Sequence, residues 1–246
     1  MKGLLVRVGI DQSYGHWNAP VDPVSNEFVY VPIPESTESQ FVQGLERSYS
    51  EFMPALTAFC SAHRRHLYDD LKFPSELLGR YMHLDPDFDT LTYGDQGSRR
   101  GAGMVEMKDG DFLAFYAGLR PIRKWNHNLL YALVGLYIVE EVKMAHDVAS
   151  ERRWENAHTR KKETGSMDIV VYAKKGFSGR LNRCIPIGEW RDNAYRVRED
   201  VLHTWGGLKV KDGFIQRSAV PPPFLDPEKF FRWFQEKEIG FIKGNN

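Results

Sequence analysis

The sequence predicts an α+β fold, a mixed sheet or small β-barrel with flanking helices. Three observations carry that expectation. Residues 112 to 119 and 129 to 142 form two strongly apolar runs, joined by a polar link that holds Pro121, Trp125 and three basic residues. Shorter runs rich in β-favouring residues recur at 3 to 10, 28 to 33 and 168 to 173. Helical spacing at 37 to 72 and a strong helix start at Asp226-Pro227 add the flanking helices.

The chain opens on Leu4, Leu5, Val6 and Val8, which read as a strand, and then turns polar and aromatic from Asp11 to Asn18. The carboxyl end of a buried strand is where ligand contacts gather in α/β proteins. Asp11 there is a candidate metal, ribose or base contact and His16 a candidate acid or base, beside Trp17. A surface loop with an Asx turn explains the same residues. Residues 28 to 33 predict an edge strand closed by Pro32 and Pro34. From Thr37 to Lys72 the spacing of Phe41, Leu45, Tyr49, Phe52 and Leu56 is helical, with a break at Pro54. His63, Arg64, Arg65 and His66 follow, and Tyr68, Asp69 and Asp70 make a solvated helix end the reading there.

Lys108 to Asp111 is a turn signal, because Asp-Gly supplies the backbone angles of tight turns. The run after it has no polar face, so its strand is covered on both sides. The second run has the length of a buried helix, but Val134, Tyr137, Ile138, Val139 and Val142 favour a strand, and Gly135 interrupts it. A short strand is expected at 168 to 173 and a flexible turn at 176 to 180. Asp226-Pro227 starts a helix, with Phe230, Phe231 and Phe234 on its buried face.

Composition narrows the class. Lys plus Arg and Asp plus Glu both number 33, so overall charge gives no argument for nucleic acid. No apolar run is long enough to span a bilayer and the first residues read as a strand, which predicts a cytoplasmic protein without a membrane partner. Cys60 and Cys184 stand alone, without zinc or disulfide spacing. Residues 151 to 183 are locally basic, with nine Lys or Arg against four acids, a distribution that fits either a phosphate-contacting face or a solvated one.

The densest polar chemistry lies at 81 to 100. His83 and Asp85 are spaced H-x-D, and with His158 they would complete the two-histidine, one-carboxylate set that holds ferrous iron in oxygenases. That spacing is common by chance, and an acidic loop explains Asp85, Asp87 and Asp89, so no metal site and no cofactor is assigned from sequence. In Thr92 to Gly97, Tyr93 offers a stacking face, Gly94 a close backbone approach, and Asp95 and Gln96 donors and acceptors for a base edge. Arg99 and Arg100 are placed to meet phosphate, and a simple turn explains the glycines equally well.

Two resemblances add to this reading. The Gly-Asp turn leading into an apolar strand with a tyrosine, then a long strand that turns acidic, looks like the core of PUA-like domains, here within residues 100 to 215 of a single domain spanning 1 to 246. Such small barrels recognise RNA or modified bases, some by receiving a flipped nucleotide. VPIPES at 31 to 36, HLDPDFDTLTYGDQG at 83 to 97, GDFLAFYAGLRP at 110 to 121 and ENAH at 155 to 158 together resemble the nucleotide modification associated domain 3 family. That implies a role in modifying nucleotides or bases, in DNA rather than RNA, among other proteins of a modification system. It transfers no catalytic residue.

Two functions therefore stand as expectations. In an enzyme, Asp11, Asp95 and His158 would do the proton chemistry, with His16, Trp17, Tyr93, Gly94, Gln96 and Arg160 holding substrate. In a non-catalytic reader, Tyr93 and Trp17 would stack on an extruded base while the 152 to 162 segment held phosphates. A scaffold subunit is the third possibility.

Overall fold

The computed structural model describes residues 1 to 64, 71 to 98, 100 to 216 and 220 to 246. Arg65, His66, Tyr68, Asp69, Asp70 and Arg99 lie outside them. The strands are β1 (Gly3–Arg7), β2 (Pro20–Val21), β3 (Ile33–Pro34), β4 (Met82–His83), β5 (Thr92–Gln96), β6 (Phe112–Pro121), β7 (Leu130–Met144), β8 (Asp168–Ala173), β9 (Gly179–Pro186), β10 (Gly188–Arg191), β11 (Ala194–Val197) and β12 (Phe241–Ile242). The α-helices are α1 (Met53–Ala62), α2 (Ser75–Leu78), α3 (Ala102–Val105), α4 (Glu199–Trp205) and α5 (Pro227–Gln235).

The two central apolar runs are the β6–β7 antiparallel pair, with Phe112 opposite Ile138 and Leu119 opposite Leu130. β7 is the strand that everything else joins. One of its edges pairs with β6, and its other edge pairs first with β9 and then with β8. The main sheet has eight strands with the path β1-β6-β7-β8-β5, and β1 runs parallel to β6. It is mixed and does not close into a barrel. Of the two cores expected from sequence, the open mixed sheet is the one observed.

Alternation along these strands separates two cores, as a period of two dictates. Leu113, Phe115, Ala117 and Leu119 face one core with Tyr30, Tyr49 and Phe88. Phe112, Ala114 and Tyr116 face the other, where α4 and α5 bring Trp205, Phe230 and Trp233. In β7 the alternation is Ala132, Val134, then Tyr137, Val139, because a bulge shifts the register near Val134 and Gly135. Gly135 has a packing reason: a Cβ there would meet the Phe88 ring at 2.6 Å. A second shift, between Val139 and Glu141, bends β7 again where it passes from β9 to β8. Bulges increase local twist and bend. The sheet curls accordingly, so that its two terminal strands approach each other: Arg100, just beyond β5, donates from Nη2 to the carbonyl of Arg7 at the end of β1 (2.8 Å).

Sequence periodicity misplaces one long helix. Residues 37 to 48 form turns, and helix begins only after Ser48, whose side chain and that of Glu51 make a capping box ahead of a short 3-10 turn, Tyr49–Phe52, and then α1. Pro54 sits in the first turn of α1, where its missing N–H costs nothing, so it starts the helix instead of breaking one. Of the apolar residues before it, Phe41 is buried from a loop, Leu45 is half-buried in one, and Tyr49 and Phe52 are buried from the 3-10 turn. Of the edge strand expected at 28 to 33, only Ile33 lies in a strand, while Val29 to Val31 are buried. Residues 201 to 203 belong to α4. α5 starts as expected, with the Asp226 side chain accepting from Lys229 N (3.1 Å). No helix among the described residues is long and apolar enough to cross a membrane.

The loop from Asp85 to Leu91 is bound into the core through residues 85 to 88, while Asp89 faces solvent. Asp87 is fully buried and accepts from Arg160 Nη2 (2.5 Å) and Asn245 Nδ2 (3.0 Å), while its carbonyl accepts from the Tyr137 hydroxyl (2.8 Å). Asn245 Oδ1 in turn accepts from Phe88 N (2.9 Å). An Asn245→Ala change leaves a buried amide and a carboxylate short of partners, and is expected to cost about 1–3 kcal/mol in a denaturant melt.

Candidate functional site

A cavity of about 450 Å³ lies where the terminal strands of the curled sheet approach. One wall comes from the end of β1 and the turn after it (Arg7, Val8, Gly9, Asp11, Tyr14), and the other from β5 and its extension (Tyr93 to Gln96, Arg100). Its floor is His83, Asp85 and His158.

Asp85 is held by bonds that β5 and the buried Asn156, 71 residues further along the chain, supply. Gly94 N lies 2.8 Å from both carboxylate oxygens, and Asn156 Nδ2 lies 3.3 Å from Oδ1. Asn156 is wholly buried, and its Oδ1 accepts from His158 N (2.9 Å), so one side chain orients both Asp85 and His158. His83 Nε2 and His158 Nε2 stand 3.8 and 3.7 Å from Asp85 Oδ2, and the two rings meet edge to face at 5.0 Å. On its far side each ring bonds a carboxylate: His83 Nδ1 donates to Glu35 Oε2 (2.8 Å), and His158 Nδ1 to Asp168 Oδ2 (2.7 Å). The carboxylates accept only, which puts the proton of each neutral imidazole on Nδ1 and the lone pair on Nε2.

Electrostatics follow from this wiring. Burial pushes the Asp85 carboxyl up to about 8, against the opposing pull of His158 and the Gly94 amide. Burial also works to raise Glu35, but the bond and charge of His83 and the Lys161 ammonium (3.1 Å) outweigh it and hold the carboxyl well below its usual range. Burial lowers His83 despite its bond to Glu35. Burial would lower His158 as well, and there the bond to Asp168 and the charges of Asp85 and Asp168 prevail and raise it. Asp168 is lowered, first by its bond to His158.

The residues singled out from sequence divide into two groups. Asp95, His158, Tyr93, Gly94, Gln96 and Asp11 line the cavity. Asp95 Oδ2 accepts from the Tyr93 hydroxyl (3.0 Å) and lies 3.6 Å from Arg100 Nε, which is buried and makes no hydrogen bond. Asp11 is paired with Arg7 and accepts from Ser13 N (2.7 Å) and Tyr14 N (3.0 Å), the Asx turn weighed from sequence. Tyr93 packs its ring on Phe115 at 5.3 Å. The close approach that Gly94 permits is to protein: a Cβ there would sit 2.4 Å from His158 Cδ2.

His16, Trp17 and Arg160 do not line this cavity. His16 is exposed on the neighbouring turn. Trp17 is buried and stacked on Phe73 at 5.1 Å. Arg160 is buried against Asp87 and the carbonyl of Trp154. The basic segment is similarly engaged: Arg152 bonds Glu155, Arg153 the carbonyls of Thr159 and Lys161, Lys161 the Glu35 carboxylate and Lys174 that of Asp109. Sequence reasoning missed Glu35, Asn156 and Asp168 as partners of the floor, and left Arg7 and Tyr14 out of the cavity. Glu35 lies within VPIPES and Asn156 within ENAH, the segments that carried the family resemblance.

Fold and site define an α+β protein whose curled mixed sheet carries an ionisable pocket at its unclosed edge. The chain matches the nucleotide modification associated domain 3 family over residues 2–210 and belongs to it. No curated protein and no solved structure gives a significant match.

Gly94 tests the build of the site. Gly94→Ala is expected to push His158 off Asp85 and destabilise the protein by about 1–3 kcal/mol. In a histidine-edited NMR spectrum the His158 ring resonances should move while those of the exposed His146 stay in place.

Proposed function

We propose that this protein is an enzyme that modifies one nucleotide or base at a time, with the reaction in the cavity floored by His83, Asp85 and His158. The observation that carries the reading is an ionisable floor beneath a cavity of about 450 Å³ in a chain of the nucleotide modification associated family. Small-molecule sites span roughly 300–1,000 Å³, so there is room for a single nucleotide, free or extruded from DNA, and none for a length of duplex.

The walls suit such a substrate. Arg100, which lines the cavity and whose Nε makes no hydrogen bond, supplies a charge-assisted contact for a phosphate or base carbonyl. Tyr14, exposed at the rim, offers a stacking face, and Gln96 a base-edge contact. Asp95, between Tyr93 and Arg100, is the general base of this reading, with His158 beneath it.

The reader alternative draws less support. Trp17 and Tyr93, its proposed stacking platforms, are already packed on Phe73 and Phe115. Its phosphate-holding segment spends its charges on internal partners.

Titration against mononucleotides and single- and double-stranded DNA, modified and unmodified, at several salt concentrations tests binding. Saturable binding of mononucleotide or single strand, weakened about tenfold by Arg100→Ala, is expected. Absence of binding to every nucleotide form overturns the reading. In a mass-spectrometric assay of the bound nucleotide, Asp95→Asn should cut turnover about 100-fold or more while binding holds. A chain that binds and yields no product would instead be a reader.

A further inference from the structure

The floor of the cavity has a geometry that acid–base chemistry alone does not require. Three electron-rich atoms, His83 Nε2, Asp85 Oδ2 and His158 Nε2, converge on one point, all within 4.8 Å of one another. Neither imidazole Nε2 makes a hydrogen bond among the described residues, although Nδ1 of each ring is firmly bonded. Lone pairs brought together in this way repel unless a proton or a metal cation stands between them, and only the metal engages all three at once.

We propose that His83, Asp85 and His158 are the protein ligands of one divalent first-row transition-metal ion, with its remaining coordination positions open to the cavity. The inference deepens the reading of this cavity as a reaction site and rests on that reading only for what the ion would do.

Four observations support it. First, two imidazoles and one carboxylate form a ligand set that selects transition metals over magnesium or calcium and leaves room for water or substrate. Second, both rings donate Nδ1–H to a carboxylate, Glu35 for His83 and Asp168 for His158. That pairing fixes the tautomer, aims Nε2 and raises its basicity, as in carboxylate–histidine–metal sites. Third, the two separations to Asp85, 3.7 and 3.8 Å, are a few tenths of an ångström wider than the about 3.4 Å expected between donors around a tetrahedral ion, and the two histidine donors lie within 4.8 Å of each other, gaps that side-chain rotations close. Fourth, local charge is matched. With Asp85 deprotonated on coordination, Glu35, Asp85 and Asp168 face the histidines with Lys161 as the added cation, an excess of two negative charges that a divalent ion neutralises. Among the described residues no other group of three such side chains is so arranged.

In the resulting site Asp85, His83 and His158 bind the ion, while Glu35, Asp168 and Asn156 are positioning residues. Gly94 is small because a methyl group would displace His158 from the ligand set.

The test uses the full chain, stripped with chelator and titrated with cobalt(II) as the probe, then with zinc, manganese and, without oxygen, ferrous iron. One equivalent per chain is expected, with a visible d–d spectrum for cobalt that zinc abolishes by displacement. His83→Gln and His158→Gln should each weaken cobalt binding by more than about 100-fold, and Glu35→Gln and Asp168→Asn by about 10- to 100-fold. His146→Gln, at an exposed histidine, should leave it unchanged. No cobalt spectrum in the wild-type chain, or a spectrum that survives both ligand-histidine changes, overturns the proposal. Circular dichroism separates loss of ligand from loss of fold, and the wild-type result decides even if a variant unfolds. Nucleotide titration of the metal-free and metal-loaded chain is a separate readout: metal uptake without nucleotide binding leaves this inference standing and removes the functional reading, and the converse removes this inference alone.

Discussion

The structure depends on a single strand being paired along both edges. β7 runs fifteen residues and holds β6 on one side and β9, then β8, on the other. Its twist and bend are increased at two register shifts, one beside Gly135 and one between Val139 and Glu141. Those bends turn a flat eight-stranded sheet into a curled one. Without that curl the carboxyl end of β1 and the β5 segment would lie at opposite ends of the sheet and share no cavity. The chemistry of the site is therefore a by-product of strand geometry some distance below it.

Within the site, burial and partnership are balanced residue by residue. Three carboxylates are taken out of water here, and each is compensated differently: Glu35 by Lys161 and His83, Asp168 by His158, and Asp85 by a backbone amide and the Asn156 side chain. Glu35 and Asp168 are thereby kept ionised, while Asp85 is left as the under-compensated one, its ionisation opposed by the cavity it faces. A carboxyl whose charged form the protein alone does not compensate is a position where an external cationic partner gains the most.

The local patterns in the chain revealed the strands but not their closure. The apolar runs and β-favouring content of 112 to 142 and 168 to 173 located β6, β7 and β8 within a residue or two, and Asp226-Pro227 marked α5, because these signals are short-range. The apolar spacing of 41 to 56 misled because a loop that crosses a core also buries residues at intervals, and only the capping box at Ser48 marks where helix begins. At the site, H-x-D and a distant histidine were visible as letters. What gave them meaning was a contact between residues 83, 85 and 158, which no spacing rule encodes. Glu35 and Asp168 were invisible for the same reason, each lying far in sequence from at least one member of the cluster. Trp17 and Arg160 looked like surface chemistry, yet an indole and a guanidinium with a carboxylate partner also pack inside a core.

The family match ends at residue 210, but the packing does not. Beyond that point the chain supplies Phe224, Phe230 and Trp233 to the cluster around Phe112 and Trp205, and Asn245 to the Asp87 loop. A protein trimmed to the matched stretch would bare the aromatic face of its sheet and release the loop that carries Asp85. The segment outside the shared family region thus works as a clasp, closing the hydrophobic side with one end and tensioning the polar side with the other.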